Sequence, residues 1–336
     1  MAQGIKALRK VQLGGESVIG TAVAPTVIWR GTGGMPKSDL TIQTPEEDVG
    51  IYGGTNRHFT SKIQGSFVLD EVAATFEQLP LLLEAGIKAA TPAADGPGDG
   101  FIRTYPMPTT AQQVIKTFSI EAGDNIAVEK TPYAFLQTIS LSGTIGEAWM
   151  MGAEGVGKQW APVSNFVALT LDPVEEILFT KTKFFIGDPD DVLDPGGEIT
   201  GTLMSAKIDI NTGWVPVFTA SGTLTFSSHK CTAPEISVEV TFEHNANSKA
   251  EKVLFESNAD RKIKLVVTGS DFAVAGTLYD AKTLEVELAG HWESWESLGE
   301  QDGNDVVTAT FRARYDTLAA LFASFTVVND ITDLFA

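Results

Sequence analysis

The sequence predicts a mainly β fold, and three observations lead to this prediction. Segment 202–245 divides into three runs in which apolar and polar residues alternate, as expected of strands that bury one face. The runs are separated by turn-forming sequences such as Asn211-Thr212-Gly213, at a spacing typical of hairpins. The chain is 43% hydrophobic, which suffices for a substantial core. We therefore expect antiparallel sheets with one apolar and one polar face.

Charge and composition exclude several classes of protein. With 336 residues, the chain can hold one large domain or two of about 150 residues each. The formal net charge of -19 argues against a nucleic-acid-binding surface, which needs a basic stripe to contact phosphates. The single cysteine, Cys231, excludes a disulfide framework within one chain. We find neither a secretory signal nor a membrane span, and so expect a soluble protein made in the cytosol, with no membrane partner.

The first half of the chain is predicted to hold strands, one helix and a long loop. Residues 1–24 carry little packing signal and are expected to form an arm. Residues 36–60 are expected to form a polar loop, which at this length is usually functional or mobile. A helix is predicted with Thr75 as its N-cap, Gln78 at the capping-box position and Gly86 as its end. Strands are predicted at 63–72, 116–122, 133–141 and 146–151.

The second half repeats this order of elements. An Asp-, Pro- and Gly-rich loop is predicted at 187–198, and a helix at 248–261 with Ser248 as its N-cap. The C-terminal stretch 317–335 is expected to form a second arm. Strands are predicted at 177–186, within 202–245, and at 262–268, 282–288 and 306–315.

The recurring order indicates an internal duplication. A strand, a short helix and a strand opening with Lys-Thr occur in both halves, the last as KTFSIEA and KTLEVEL. We therefore predict two tandem antiparallel β-sandwich or barrel domains, 1–160 and 161–336. Each is expected to be flanked by a short α-helix, with long loops and terminal arms. Two unrelated stretches of β structure remain the alternative.

The sequence offers no convincing catalytic, cofactor or metal site. Residues 152–159 (GAEGVGKQ) nearly spell a phosphate-binding loop, but Gln159 replaces the Ser/Thr and Pro162 prevents a following helix, so we expect a linker. The cluster of aspartates at 188, 190, 191 and 194 lacks the spacing and flanking helices of an EF-hand. His229 and Cys231, two apart on a strand, are weak evidence for a catalytic pair.

Several segments together resemble the tail tube proteins of long-tailed, siphovirus-type bacteriophages. The resemblance rests on KTKFFIGD, on TLMSAKIDINTGWVPVFTASGTLTFSSHKCTAPEISVEVTFEHN and the SKAEKVLFESNADRKIKLVVTG that follows, on ESVIGTAVAPTVIWRGT and on YAFLQTISLSGTIGEAWMMGAEGVG. These patterns of strand and turn touch most of the chain. They identify the chain as similar to the two-domain form of this family.

The resemblance implies a structural virion protein and no enzyme. In that family, six β-sandwich domains pair inner strands around a ring, and rings stack into a hollow tube that carries DNA into the host. Chains with two domains form homotrimeric pseudo-hexameric rings. The tail tip or initiator, tape measure and tail terminator proteins are the further partners that the family implies. DNA passes through the lumen without specific binding.

The resemblance also suggests which residues make contacts. By position, loop 36–60 maps to the segment that bridges neighbouring rings, and we expect it to be disordered in a monomer. Its candidate contact residues are Glu46, Glu47, Asp48, Tyr52, Arg57 and His58. An acidic lumen would let DNA slide without adsorbing, because like charges repel at short range. The candidates on polar strand faces are Glu239, Glu243, Glu285 and Glu287.

A second interpretation stays open, which is a two-domain β-sandwich module for carbohydrate binding or adhesion. It predicts an aromatic platform built from Trp214, Trp292 or Trp295, because exposed tryptophans stack on sugars or anchor protein contacts. It also predicts a protein that stays monomeric. A hydrolytic enzyme on a β-scaffold is a weaker third interpretation, since no residue stands out as catalytic.

Overall fold

The computed structural model describes residues 3–53, 56–194 and 196–335 and shows a mainly β protein with two short α-helices. The helices are α1 (Leu79–Gly86) and α2 (Ala246–Glu256), and single 3-10 turns lie at Lys6–Leu8 and Phe179–Lys181. The strands of the first half are β1 (Lys10–Gly15), β2 (Val27–Ile28), β3 (Lys37–Gln43), β4 (Phe59–Ala73), β5 (Ala93–Ala94), β6 (Phe101–Pro106), β7 (Phe118–Gly123), β8 (Val128–Thr144), β9 (Met150–Gly157) and β10 (Ala161–Val163). Those of the second half are β11 (Thr182–Gly187), β12 (Leu203–Asn211), β13 (Trp214–Val217), β14 (Ser228–Cys231), β15 (Glu235–Glu243), β16 (Asp260–Asp271), β17 (Ala281–Trp295), β18 (Gly299–Gln301), β19 (Asn304–Ala313) and β20 (Ala323–Asn329).

The predicted alternation between two faces is confirmed, and β15 shows it most clearly. Ile236, Val238, Val240 and Phe242 are buried, while the intervening residues, including Glu239, face outward. Each such side chain stabilises the fold by about 1.5–3 kcal/mol on burial, so a shift of one residue in strand register would expose the whole set. The alternation therefore fixes which face of β15 joins the core.

Eight strands form one continuous antiparallel sheet that runs through both halves of the chain. Its order is β3–β4–β9–β8–β12–β15–β19–β17. The two halves meet where β8 pairs with β12, with Ile208 opposite Leu141 and Asp209 opposite Ser140. The main hydrophobic core likewise contains residues of both halves.

The same pattern of strand pairing occurs twice along the chain. In the first half, β1–β7–β8–β10 form one sheet, and β3–β4–β9–β8 contribute to the eight-stranded sheet. In the second half, β11–β16–β17–β20 and β12–β15–β19–β17 are paired in the same order. The long strands β8 and β17 each belong to both sheets of their half. Helix α1 follows β4, as α2 follows β15.

Equivalent bulges in β8 and β17 align the two halves residue by residue. The register of β8 against β9 shifts between Leu136 and Thr138, and that of β17 against β19 shifts between Trp292 and Ser294. A bulge bends and twists a strand, which suits a strand that leaves one sheet and enters another. Thr138 is thus equivalent to Ser294.

Both helices are present, but the structure corrects where they begin. Gln78 is the N-cap of α1, and Thr75 instead accepts a hydrogen bond from the Gln78 amide (3.2 Å) in the turn before the helix. Asn245, not Ser248, caps α2, and its side chain accepts from the amide of Ser248 (3.2 Å) while Ser248 Oγ accepts from the Asn245 amide (2.9 Å). The predicted end of α1 at Gly86 is confirmed.

The predicted terminal arms are wrong, because both ends of the chain contribute strands. Val11 and Leu13 of β1 are buried, and the carboxylate of Glu16 accepts hydrogen bonds from Gly20, Thr117, Ser119 and Tyr133. At the C-terminus, β20 lies between β17 and β6 in the sheet, so residues 323–329 are part of the core. The four donors to Glu16 near the N-terminus offset the hydration that its buried carboxylate loses.

Two other predictions are corrected. The loop predicted at 36–60 holds strand β3 and the beginning of β4, which pair from Lys37 opposite Ser66 to Gln43 opposite Phe59. Only the described residues 44–53 and 56–58 between them are irregular, and residues 54–55 lie outside the described residues. The segment 152–159, expected to be a linker, lies mostly in β9 between β4 and β8.

Candidate assembly surface

The eight-stranded sheet ends in two strand edges that pair with nothing else in the described part of the chain. At one end, β3 pairs with β4 alone. At the other end, the C-terminal part of β17 pairs with β19, and the Glu296 amide continues this pairing by donating to Thr308 O (2.9 Å). Unpaired edges present free backbone N–H and C=O groups and pair readily with strands of other chains. These edges are therefore surfaces on which the sheet can grow.

The edge strand β3 carries charge as well as free backbone groups. Lys37 and Asp39 are ion-paired (3.3 Å) and lie on the polar face of the sheet. Charged side chains on an exposed edge discourage indiscriminate pairing, so a partner strand must supply complementary groups. The opposite edge ends in the exposed residues Glu296 and Glu300.

A shallow groove, whose charged lining residues are mostly acidic, lies over the polar face of the same sheet. It crosses the β8–β12 junction, so that both halves of the chain line it. Two ion pairs neutralise part of its charge, Lys207 with Asp209 (2.8 Å) and Arg312 with Glu235 (2.8 Å). Its remaining acidic residues are Asp70, Glu71 and Glu154. Local alternation does not reveal this surface, because Asp70 and Glu71 are adjacent at a bulge of β4 and Glu154 lies in the glycine-rich β9, so only the strand pairing shows that they share a groove.

The four acidic residues predicted to line a lumen lie on two different sheets. Glu239 and Glu243 point to the polar side of β15, within the eight-stranded sheet. Glu285 and Glu287 lie on the part of β17 that pairs with β16 and β20, and form ion pairs with Lys264 (3.4 Å) and Lys262 (2.9 Å). The four side chains therefore do not form one surface, and only the first two share the face of the groove.

The hairpin of β3 and β4 ends in an arm, residues 40–62, that holds the predicted ring-contact residues and whose described side chains are mostly exposed. Glu46, Asp48, Tyr52 and His58 are exposed, and Arg57 forms an ion pair with Glu47. Apolar side chains are also unusually exposed on this arm. They are Leu40, Ile42, Val49, Ile51 and Phe59, in addition to Tyr52. Clustered exposed apolar side chains mark contact surfaces.

The second half carries a different insertion at the same place in the pairing pattern. Between β12 and β15, the β13–β14 hairpin folds back onto the first half and buries Trp214 and Phe226 there. The Trp214 indole donates to Gly86 O (2.8 Å), and the Ile63 amide of β4 donates to Leu224 O (3.0 Å). The insertion after β12 is thus packed, whereas the arm after β3 is exposed.

Several side chains considered for catalysis and metal binding form hydrogen bonds or ion pairs with other residues of the protein. Nδ1 of His229 shares a hydrogen bond with the Tyr133 hydroxyl (3.0 Å), and burial raises the pKa of the Cys231 thiol, which is the opposite of what a nucleophile needs. In the loop after β11, Asp191 accepts from the Asp188 amide (2.8 Å) and Asp188 pairs with Arg261. The described residues contain no group of His, Cys, Asp and Glu side chains suited to holding a metal ion.

The tryptophans of a possible sugar platform are mostly inside the protein. Trp214 and Trp292 are each 2% exposed, and the indole of Trp292 donates to Glu251 (3.1 Å). Trp295 is half-buried and stacks on Phe255 of α2. A platform needs exposed ring faces, which these side chains do not offer.

Comparison with known proteins gives no family assignment. A scan against protein-family models found no match, and a search of curated proteins found no similar sequence. In the part of the chain that the structure describes, neither α-helix is long and apolar enough to cross a membrane.

Proposed function

We propose that this protein is a tail tube subunit of a long-tailed phage, with two tandem tube domains that polymerise into stacked rings. The observation that carries the proposal is the β8–β12 junction, where the sheet of one half continues into the sheet of the other. The same kind of junction between the β3 edge of one copy and the β17 edge of the next would extend the sheet from chain to chain. Association through two different surfaces gives a ring when the rotation closes.

The repeated pairing pattern supports a pseudo-hexameric ring. If each half occupies one of six equivalent places, three copies complete the ring, as the resemblance to two-domain tube proteins implies. Strand addition of this kind relies on backbone hydrogen bonds, so it needs no ligand and no catalytic residue. The exposed arm 40–62 extends beyond the part of β4 that pairs with β9 and would contact the next ring.

The acidic groove supports the lumen side of the proposal. In a closed ring the polar face of the eight-stranded sheet would face the channel, with Asp70, Glu154 and Glu239 among its charges. Like charge opposes adsorption of DNA and favours its passage. Glu285 and Glu287, which lie on the other sheet, would be outside this surface.

The carbohydrate-binding or adhesion module has less support. Its platform would have to use Trp214 and Trp292, which are buried. It also gives no role to two unpaired strand edges at the ends of one sheet.

Electron microscopy of the purified protein tests the proposal directly. Negative-stain images of fresh, concentrated and warmed samples should show hollow tubes of uniform width made of repeating rings. The mass of the smallest closed ring, from light scattering, should equal three chains. Particles that remain monomeric at every concentration would contradict the proposal, and a glycan-binding screen would then test the alternative.

A further inference from the structure

The internal β8–β12 junction supplies a template for the contact between two copies of this chain. Each half presents the same strands in the same order, so the junction has an unoccupied counterpart formed by β3 and the end of β17. Within one chain this contact is therefore made once, between β8 and β12. Making it between the β3 edge and the β17 edge requires a second chain. This inference deepens the proposed function and rests on it.

The bulges and flanking pairs determine which residues correspond at the β17 edge. Thr138 is opposite Glu154 in β9, and its equivalent Ser294 is opposite Thr310 in β19. Two residues further on, Ser140 is opposite Gly152, and the amide of Glu296 donates to Thr308 O (2.9 Å). Ser140 is therefore equivalent to Glu296.

The β3 edge is aligned in the same way through β4 and β15. Ser66 of β4 is opposite Val156 in β9, as Ser237 of β15 is opposite Arg312 in β19. Lys37 is opposite Ser66, and Asp209 is opposite Ser237. Lys37 therefore takes the place of Asp209, and Asp39, two residues on, takes that of Asn211.

We propose that the β3 edge of one copy pairs with the β17 edge of the next in one defined register, with Lys37 opposite Glu296 and Asp39 opposite Ser294. In the internal junction, Asp209 is opposite Ser140 and Asn211 is opposite Thr138. Transferring these pairs to the open edges gives the two cross-chain pairs. The register places a lysine against a carboxylate, which is favourable for directly opposed side chains.

Charge argues against the nearest competing register. The sequences around Lys37-Ser-Asp39 and Lys207-Ile-Asp209 look alike, and aligning them would shift β3 by two residues. That shift would place Asp39 opposite Glu296, two carboxylates on the same face of the sheet. Like charges directly opposed destabilise strand pairing. The residue opposite Glu296 therefore attracts it in the proposed register and repels it in the shifted one.

Paired cysteines distinguish the two registers. In a chain carrying Cys231→Ser, the substitutions Asp39→Cys and Ser294→Cys should give disulfide-linked trimers after mild oxidation, whereas Asp39→Cys with Glu296→Cys should not. Bridged residues need Cα atoms no more than about 7 Å apart, and diagonal neighbours across a ladder lie at or beyond that limit. Within one chain the two edges are seven strand spacings apart, roughly 34 Å, so any such bridge joins two copies.

Charge reversal provides a second measurement on a chain without new cysteines. Lys37→Glu and Glu296→Lys should each raise the protein concentration needed for assembly by about fivefold, and the double variant should restore it. Circular dichroism checks that each variant is folded. Tubes that cross-link through Asp39→Cys with Glu296→Cys, or a double variant no better than the single ones, would overturn the register while leaving the proposed function intact. Wild-type protein that never assembles would count against both.

Discussion

Glu84 is expected to make the folded protein less stable as the pH rises towards neutrality. The side chain lies on α1 and is 6% exposed. Burial raises the pKa of its carboxyl from 4.5 to about 7, although Arg103 and Lys116 nearby favour the ionised form. The folded protein therefore holds a proton on Glu84 in a pH range where the unfolded chain has released it.

The size and sign of the effect follow from this difference in pKa. Below pH 4.5 both states are protonated, and the full stabilisation is present. Between pH 4.5 and 7 the unfolded chain binds fewer protons than the folded protein, so stability falls as the pH rises. A shift of this size corresponds to about 3 kcal/mol lost from the free energy of unfolding above pH 7.

Urea denaturation of the wild type and Glu84→Gln at pH values from 4 to 8 measures this loss. Glutamine is neutral at every pH and has nearly the same shape, so the variant should match the wild type near pH 4. It should exceed the wild type by up to about 3 kcal/mol at pH 8. Glu256→Gln, the same change at an exposed position of α2, serves as the control and should leave the pH profile unchanged. Parallel profiles for the wild type and Glu84→Gln would show that Glu84 is ionised in the folded protein and refute the reasoning.

Three further predictions concern the hairpin, a buried ion pair and the exposed arm. Trp214→Ala should lower the free energy of unfolding by about 3–5 kcal/mol in urea titrations, because it leaves a cavity. Trp214→Phe should lose less, since it mainly removes the bond to Gly86 O. Glu251→Gln should lower the free energy of unfolding by about 1–3 kcal/mol, because it removes the buried carboxylate partner of Arg261 and leaves only the largely exposed Asp188, whereas breaking an exposed ion pair costs at most about 1 kcal/mol. Hydrogen exchange in segment 44–58 should be fast in the monomer and slow in tubes, and protection of this segment in the free monomer would contradict its proposed role between rings.

Sequence patterns predicted the fold best where one strand face is uniformly apolar. In β15 the apolar positions repeat every two residues, and the structure buries each of them. The pattern failed in β9, whose residues 150–157 are rich in glycine. Gly155 packs so closely that a Cβ there would lie 2.4 Å from the Phe67 ring, and a Cβ at Gly157 would lie 2.7 Å from Thr131 Oγ1. Glycine serves here to bring strands and rings together, but in a sequence it indicates a turn or linker.

The candidate site could be predicted only in part, because it depends on contacts distant in sequence. Alternation shows that Glu239 and Glu285 are on polar faces, but strand pairing alone separates them into different sheets. The open edges of β3 and β17 are defined by which strands pair with them, and no local pattern contains that information. The arm was misassigned as a loop because its strand β3 is exposed along most of its length, so its apolar residues do not alternate with a buried face.

Under the proposed function, the two insertions at equivalent places in the pairing pattern would give one chain two kinds of contact, one within itself and one with other copies. Trp214 and Phe226, in the insertion after β12, pack against the first half of the chain and so join the two halves. The arm after β3 keeps Ile42 and Phe59 exposed, although covering them would be favourable by about 25 cal/mol per Å² of apolar surface. If both insertions packed inward, the chain would have sheet edges for ring closure but little apolar surface for stacking. If both projected outward, the β8–β12 junction would lose the packing of Trp214 and Phe226 against the first half of the chain. The asymmetry between the halves therefore agrees with the proposed role, in which one insertion joins the two halves of a chain and the other contacts further copies.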